Sequence, residues 1–348
     1  MNTATFSFPP LSKRIMACSF FISIKFTKFY QLFTFDMLHY KKVLIYQYRR
    51  LRGVRMDLNL NIAFIGTGVM GKSIVKHLLK AGFDVTVYNR TKEKAHPLIE
   101  LGAKWADTPS EASKEKDIIF TMVGFPSDVE AVYLGSEGIL NSAKPGAIVI
   151  DMTTSKPSLA KKLYTLAKEK GIYSLDAPVS GGDIGAQNGT LSIMVGGDEE
   201  IYQKVLPILE LFGTNIVYHG EAGAGQHTKV CNQLLVTTNM IGVCESIAYG
   251  LKAGLDLEKV LQSISTGAAG SWSLSNLGPR MLKGDLEPGF YIKHFIKDMK
   301  IALEEAEKMN LDLPGLKLSK QLYETLLEQG YGDKGTQALI KYYKVINE

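Results

Sequence analysis

Lys229, Asn232 and Gln233 stand together in the segment Gly223-Ala-Gly-Gln-His-Thr-Lys-Val-Cys-Asn-Gln233. Spacings of three and four residues put both amides on the lysine's face of a helix. Lysine is a poor base at neutral pH, because its ordinary pKa is about 10.4. Burial and a nearby positive charge lower that value, and the amine can then take a proton in one direction and return it in the other. Lys229 is therefore the candidate general acid/base, with Asn232 and Gln233 as candidate substrate ligands. An isolated helical lysine is ordinarily a solvated surface residue; the flanking glycines and a change of sequence pattern at this point argue for a buried one.

A proton acceptor of this kind needs a partner reaction. Gly66-Thr67-Gly68-Val69-Met70-Gly71 supplies one, since it follows a short apolar run and opens a helical pattern. In that context the motif predicts a dinucleotide site. Gly66 permits a tight turn, Gly68 lets a pyrophosphate approach backbone N–H groups at a helix N-terminus, and Gly71 lets helix and strand pack closely. The bland alternative is a strand–helix turn without a ligand. About 20 residues on, NAD-binding units carry an acidic residue for the ribose 2′-hydroxyl. Here that place reads Asn89-Arg90-Thr91. Arg90 can stack on adenine or pair with a 2′-phosphate, and Asn89 and Thr91 can donate hydrogen bonds. The expected cofactor is NADP, with NAD possible.

A third block, Ser180-Gly181-Gly182, follows a strand-like run. One hydroxyl and two glycine N–H groups form a small nest for a carboxylate; alone, the same residues also suit a tight turn with a helix-capping serine. The six histidines are scattered, with no carboxylates at metal-ligand spacing, so no metal is expected. Cys18, Cys231 and Cys244 form no CxxC pair; Cys231 and Cys244 fall among apolar residues and read as buried, inert thiols in a reducing compartment.

The elements that must position these groups alternate at first. Strands are expected at 62–65, 85–88, 118–123, 147–152, 173–176, 191–195 and 216–218. Helices are expected at 70–81, 92–101, 127–133, 159–170 and 199–212, several closed by glycine. This pattern predicts an α/β, Rossmann-type, doubly wound, mainly parallel sheet. From Gly225 the strand signals stop. Helical period runs over 226–251, then 256–265, 295–309, 316–329 and 336–345, an all-helical C-terminal domain. The expected organisation is an extension at 1–57, a dinucleotide-binding domain at 58–221 and a helical substrate and oligomerisation domain at 222–348, with the active site in the cleft between the last two.

The 348 residues are 45% hydrophobic and 22% charged, as in an ordinary globular chain with length for about two domains. The net charge of +5 is uneven, because residues 1–55 carry ten Lys/Arg against one acid, Asp36. The remainder is mildly acidic, so no nucleic-acid partner is expected. The longest uncharged apolar run of the basic segment has ten residues, between Arg14 and Lys25, where a membrane span needs about 20. Three readings of residues 1–55 stay open: an upstream start ahead of the natural Met56, a targeting segment, or a membrane-surface segment. No membrane partner is expected of the body, and a cytoplasmic location is.

The four blocks Ile65–Gly71, Asp176-Ala-Pro-Val-Ser-Gly-Gly182, Gly223–Gln233 and Lys297-Asp298, in this order and spacing, make the chain from about residue 58 onward resemble the β-hydroxyacid dehydrogenase family. That family includes 3-hydroxyisobutyrate dehydrogenase and tartronate semialdehyde reductase. The resemblance implies a hydride transfer between NAD(P) and a small carboxylate-bearing substrate, with Lys229 as acid/base and Ser180, Gly181 and Gly182 holding the carboxylate. It further implies that Met122, Val123, Thr154 and Lys297 line the cofactor, and that the protein is a homodimer or homotetramer. Two departures stand out: Gln233 replaces the family's second asparagine, and Val123-Gly124-Phe125-Pro126 replaces its Leu-Pro. Trp272 either lines the pocket or packs the helical domain. The alternatives are a succinic semialdehyde-type aldehyde reductase, a non-catalytic dinucleotide-binding relative, and a protein anchored to a membrane through residues 1–55.

Overall fold

The computed structural model describes residues 57–344, all but Asp57 of them in the compact unit Leu58–Glu348. The three readings of residues 1–55, the thiol Cys18 and the end of the last expected helix lie outside the described residues.

β1 (Asn61–Ile65), β2 (Asp84–Tyr88), β3 (Lys104–Trp105), β4 (Ile118–Thr121), β5 (Ile148–Asp151) and β6 (Tyr173–Asp176) form one sheet in the order β3-β2-β1-β4-β5-β6. All of its pairings are parallel. This is the doubly wound order, with the reversal at β1, where β2 and β4 lie on its two sides. Ile62, Ala63, Phe64, Ile119 and Phe120 are all fully buried, which explains why these strands read as continuous apolar runs. Helices α1 (Gly71–Lys80), α2 (His96–Ile99), α3 (Pro109–Ser113), α4 (Pro126–Leu134) and α5 (Pro157–Glu169) make the crossovers.

Two details differ from expectation. Residues 191–195 and 216–218 do not extend the main sheet. They belong to a second, three-stranded sheet of β7 (Val179–Ser180), β8 (Leu191–Val195) and β9 (Gly213–Tyr218), with α6 (Gly182–Asn188) and α7 (Glu199–Leu209) between them. The antiparallel β7–β8 pairing takes the chain off the parallel sheet just after β6. The expected helix at 92–101 is a short 3₁₀ turn, Lys92–Ala95, followed by α2, because Pro97 cannot supply the N–H that a continuous helix needs.

After β9 come α8 (Ala224–Lys252), α9 (Leu257–Ile264), α10 (Trp272–Leu282), α11 (Ile292–Lys308), α12 (Pro314–Glu328) and a 3₁₀ turn, Thr336–Tyr343. α10 went unread in the sequence because Pro279 interrupts its pattern. Met240, Cys244, Ile247, Phe295, Met299 and Tyr323 make one buried cluster around α8. α8 also packs on β6, β7, β8 and α5, so one helix spans from the sheets into the bundle. Of the two described cysteines, Cys244 is buried, but Cys231 is exposed, contrary to expectation. It lies two residues from both Lys229 and Gln233, and those two take the inward side of the helix.

Candidate active site

The glycine turn is shaped by contacts that a side chain would break. Gly66 has φ +102°, and a Cβ there would lie 2.1 Å from the Met122 carbonyl oxygen. A Cβ on Gly71 would lie 2.0 Å from the Gly66 oxygen and 2.9 Å from the Phe64 ring, so close packing of α1 on β1 requires glycine. Gly68 differs: a Cβ there meets nothing within 4 Å. Its backbone faces open space at the start of α1, the place from which a helix N-terminus can approach a pyrophosphate. Thr67 Oγ1 is buried without a hydrogen-bond partner among the described residues. This open backbone and orphaned hydroxyl fit a dinucleotide.

Asn89 braces the turn. Its Oδ1 accepts the Thr67 N–H at 3.0 Å, and its Nδ2 donates to the Thr91 oxygen at 2.8 Å. Thr91 and Arg90 are exposed, and Arg90 Nη1 lies 3.4 Å from Asp128 Oδ1. Val69 is exposed and Met70 half-buried at the mouth of the turn.

Met122 and Val123 leave β4 beside this turn. The Met122 N–H donates to the Ile65 oxygen at 2.9 Å, and the Val123 N–H to Thr153 Oγ1 at 3.0 Å. Residues 153–155 follow β5. Asp151 Oδ1 holds them by accepting the Thr153 N–H and the Thr121 hydroxyl. Burial raises the Asp151 pKa to about 6, with its hydrogen bonds opposing.

Lys229 is placed by the start of α8. Asp176, at the carboxyl end of β6, accepts the Gly223 N–H at 2.7 Å and the Gln226 N–H at 2.8 Å. A carboxylate at a helix N-terminus suits both the free N–H groups and the dipole, although burial raises the Asp176 pKa against those bonds. Gln226 is fully buried and uses both ends of its amide: Oε1 accepts the Ser155 N–H at 2.9 Å, and Nε2 donates to the Thr153 oxygen at 2.7 Å. A Cβ on Gly225 would lie 2.3 Å from the Met194 oxygen, so glycine lets α8 approach β8. Asp176 and Gln226 thus fix the helix to the loops after β5 and β6, one turn before Lys229. Neither was assigned such a role from sequence; a carboxylate ending one strand and a glutamine opening an apolar helix were the available signals.

Lys229 is 7% exposed, and its Nζ has no hydrogen-bond partner among the described residues. Burial lowers its pKa to about 8; Asp298 opposes that shift and Lys297 adds to it. Beside it runs a chain of contacts. Asn232 Nδ2 donates to Gln233 Oε1 at 2.7 Å, and Gln233 Nε2 donates to Asp298 Oδ2 at 2.6 Å. Asp298 Oδ1 pairs with Lys297 Nζ at 3.1 Å. Lys297 Nζ then donates to the Thr154 oxygen at 2.8 Å and the Gly124 oxygen at 3.2 Å. Gln233, expected as a substrate ligand, therefore has two partners within the protein.

Ser180 is half-buried on β7, and its hydroxyl has no partner among the described residues. Gly181 (φ +124°) and Gly182 (φ +63°) turn the chain into α6 with backbone that other residues rarely adopt. α8 packs on β7, the strand that carries Ser180. Trp272 is 62% exposed at the start of α10.

A doubly wound sheet with this turn, followed by a helix carrying a buried lysine, defines a nicotinamide-dinucleotide oxidoreductase. Comparison with known proteins agrees. Residues 61–220 match the family described as the NAD binding domain of 6-phosphogluconate dehydrogenase, and residues 223–343 the family described as NAD-binding of NADP-dependent 3-hydroxyisobutyrate dehydrogenase. The uncharacterized oxidoreductase YkwC of Bacillus subtilis is 62% identical, over 81% of this chain and 98% of its own. A probable mitochondrial 3-hydroxyisobutyrate dehydrogenase-like protein of Arabidopsis thaliana is 49% identical, over 83% and 86%. A Mycobacterium tuberculosis 3-hydroxyisobutyrate dehydrogenase solved with L-serine has a TM-score of 0.75 at 29% identity, over 81% of this chain and 98% of its own. A protein called Psf3, solved with NADP+ and 2-OPP, has a TM-score of 0.75 at 28% identity, over 82% and 100%. The chain belongs to the β-hydroxyacid dehydrogenase family and is an NAD(P)-dependent hydroxyacid dehydrogenase.

Proposed function

We propose that the protein interconverts a small β-hydroxyacid and its semialdehyde, with Lys229 as general acid/base. The observation that carries this is the buried Lys229 amine, without a hydrogen-bond partner among the described residues and with its pKa lowered by burial to about 8, beside the Asn232–Gln233–Asp298–Lys297 chain. Bound NAD(P) supplies the hydride acceptor or donor. In oxidation the neutral Lys229 amine takes the hydroxyl proton as hydride leaves the carbon; in reduction the ammonium protonates the forming alkoxide. The Ser180 hydroxyl and the Gly181 and Gly182 N–H groups hold the carboxylate, and Asn232 supports the hydroxyl end. Gln233 orients Asn232 rather than reaching the substrate, because its amide already bonds Asn232 and Asp298.

Gly66, Gly68 and Gly71 shape the pyrophosphate turn, with Thr67, Val69 and Met70 at its mouth and Met122, Val123 and Thr154 beside it. Lys297 ties the loops holding Gly124 and Thr154 to α11, which keeps the cofactor side and the lysine side in register. Arg90 takes the 2′-phosphate and favours NADP. A homodimer or homotetramer belongs to this reading as what the family resemblance implies.

The test is steady-state kinetics of the purified chain with NADPH and NADH against small semialdehydes, with Lys229→Ala as control. Turnover of a carboxylate-bearing semialdehyde, abolished in a folded Lys229→Ala, supports the reading. Comparable turnover of the uncharged aldehydes of the same size would overturn the carboxylate assignment. Activity retained in Lys229→Ala would overturn the acid/base role.

A further inference from the structure

Two side chains pair across the switch point of the sheet, from the segments on either side of the glycine turn. β1 lies between β2 and β4, so the segments that leave those two strands flank Gly66–Gly71. Arg90 is the second residue after β2, and Asp128 is the third residue of α4, which follows β4. Their 3.4 Å ion pair joins the two segments. The two partners are held differently. The Arg90 side chain is 87% exposed, and among the described residues its partner is Asp128. The Asp128 side chain is 25% exposed and pinned, because its Oδ2 accepts the Phe125 N–H at 3.1 Å and caps α4. The carboxylate is the fixed member and the guanidinium the movable one. An exposed pair of this kind is weak and exchanges readily. The end of β2 itself carries no carboxylate: it reads Asn89-Arg90-Thr91. The fold brings one there from 38 residues away.

We propose that Asp128 is a cofactor-selecting residue: it competes with the 2′-phosphate for Arg90 and so narrows the preference for NADP(H) over NAD(H). This rests on the reading of Arg90 as the 2′-phosphate ligand. A phosphate seated on Arg90 shares that cation with a fixed carboxylate, and like charges at that distance repel. The ribose of NAD carries a neutral hydroxyl there, so it meets no such repulsion and leaves the Arg90–Asp128 pair intact. Water surrounds the pair, so the penalty is moderate and screened by salt.

The experiment measures dissociation constants of NADPH and NADH by fluorescence titration, without turnover, for the full chain and for Asp128→Asn and Arg90→Ala. Asparagine keeps an oxygen for the Phe125 N–H, and thermal melts verify that each variant is folded. Asp128→Asn is expected to tighten NADPH about three- to tenfold and NADH by less than about twofold. High salt should shrink that gain. Arg90→Ala is expected to weaken NADPH about tenfold or more and NADH little. If Arg90→Ala shifts the NADPH-to-NADH ratio but Asp128→Asn leaves it unchanged, the role of Asp128 is overturned and that of Arg90 stands. If Arg90→Ala leaves the ratio unchanged, the Arg90 reading fails, and the Asp128 proposal with it.

Discussion

Gln233 and Asp298 are joined by a 2.6 Å hydrogen bond from Nε2 to Oδ2, deep between α8 and α11. The bond fixes a carboxylate that is 1% exposed, and Lys297 takes its other oxygen at 3.1 Å. Asp298 is also the anion whose field raises the proton affinity of Lys229, against a larger effect of burial. One carboxylate therefore does two things. It anchors the lysine that reaches the loops holding Gly124 and Thr154, and it keeps the candidate acid/base from losing its proton too easily.

Asp298→Asn removes that charge and retains an oxygen able to accept from Gln233. Taking an anion from beside an ammonium disfavours the charged form, so the Lys229 pKa should fall below its present value of about 8. The decline of kcat/KM for reduction should move to lower pH, with a loss of about tenfold or more at neutral pH. A purely structural Asp298 would change the amplitude and leave the midpoint in place. The pH profile of the folded variant separates the two.

The wild-type profile has a direction of its own. Oxidation needs the neutral amine, so its kcat/KM should rise with pH and level off above about 8. Reduction needs the ammonium, so its kcat/KM should hold below that pH and fall above it. Profiles measured in both directions with saturating cofactor check this. A reduction rate still rising beyond pH 9 would assign the proton to another group.

The glycine turn offers a paired prediction. Gly71→Ala sets a methyl 2.0 Å from the Gly66 oxygen and 2.9 Å from the Phe64 ring, with backbone on one side and a packed ring on the other. It should destabilise the protein by about 3 kcal/mol. Gly68→Ala meets no atom within 4 Å, so the melting temperature should hold. The added methyl occupies the space a pyrophosphate needs, and NADPH affinity should fall about tenfold or more. Thermal melts and NADPH titration of both variants are the check. A Gly68→Ala that binds NADPH normally would remove the phosphate from that position.

What the sequence made legible was whatever local pattern could carry. The apolar runs of β1, β4 and β5 and the glycine-closed helices gave the doubly wound order, because fully buried parallel strands leave continuous hydrophobic stretches. Lys229 was legible through its spacing to Asn232 and Gln233. The direction of the Gln233 amide was not, since its partner Asp298 lies 65 residues away on another helix. Asp176 and Gln226 escaped for the same reason: each bonds across some 47 to 73 residues. Asp128 shows how such a gap changes a conclusion. A reading confined to the end of β2 found no carboxylate near Arg90, and only the fold brings one beside it. Cys231 was misread as buried because an apolar neighbourhood does not say which side of α8 faces inward: Leu235, one turn on and on the same side, is itself 66% exposed, while Lys229 and Gln233 take the buried side.

The buried amine also sets a stability prediction whose sign is opposite for folding and for catalysis. The Lys229 pKa is about 8 folded, against an ordinary 10.5. Below pH 8 both states bind the proton, so the cost of burying the charge is fully present, about 3 kcal/mol. Between pH 8 and 10.5 the unfolded chain holds the proton and the folded one has released it, so stability rises with pH. Above that window the cost is gone. Lys229→Met fills the same space without a charge. It should raise the melting temperature at pH 7 by several degrees, flatten the rise between pH 8 and 10.5, and lower turnover about 10²-fold or more. Melts of the two proteins across pH 6–11 isolate this one group, since every other titration is shared. A variant less stable than wild type at pH 7, with the same slope above pH 8, would mean that Lys229 is not held as a buried charge, and the acid/base argument built on that burial would fall with it.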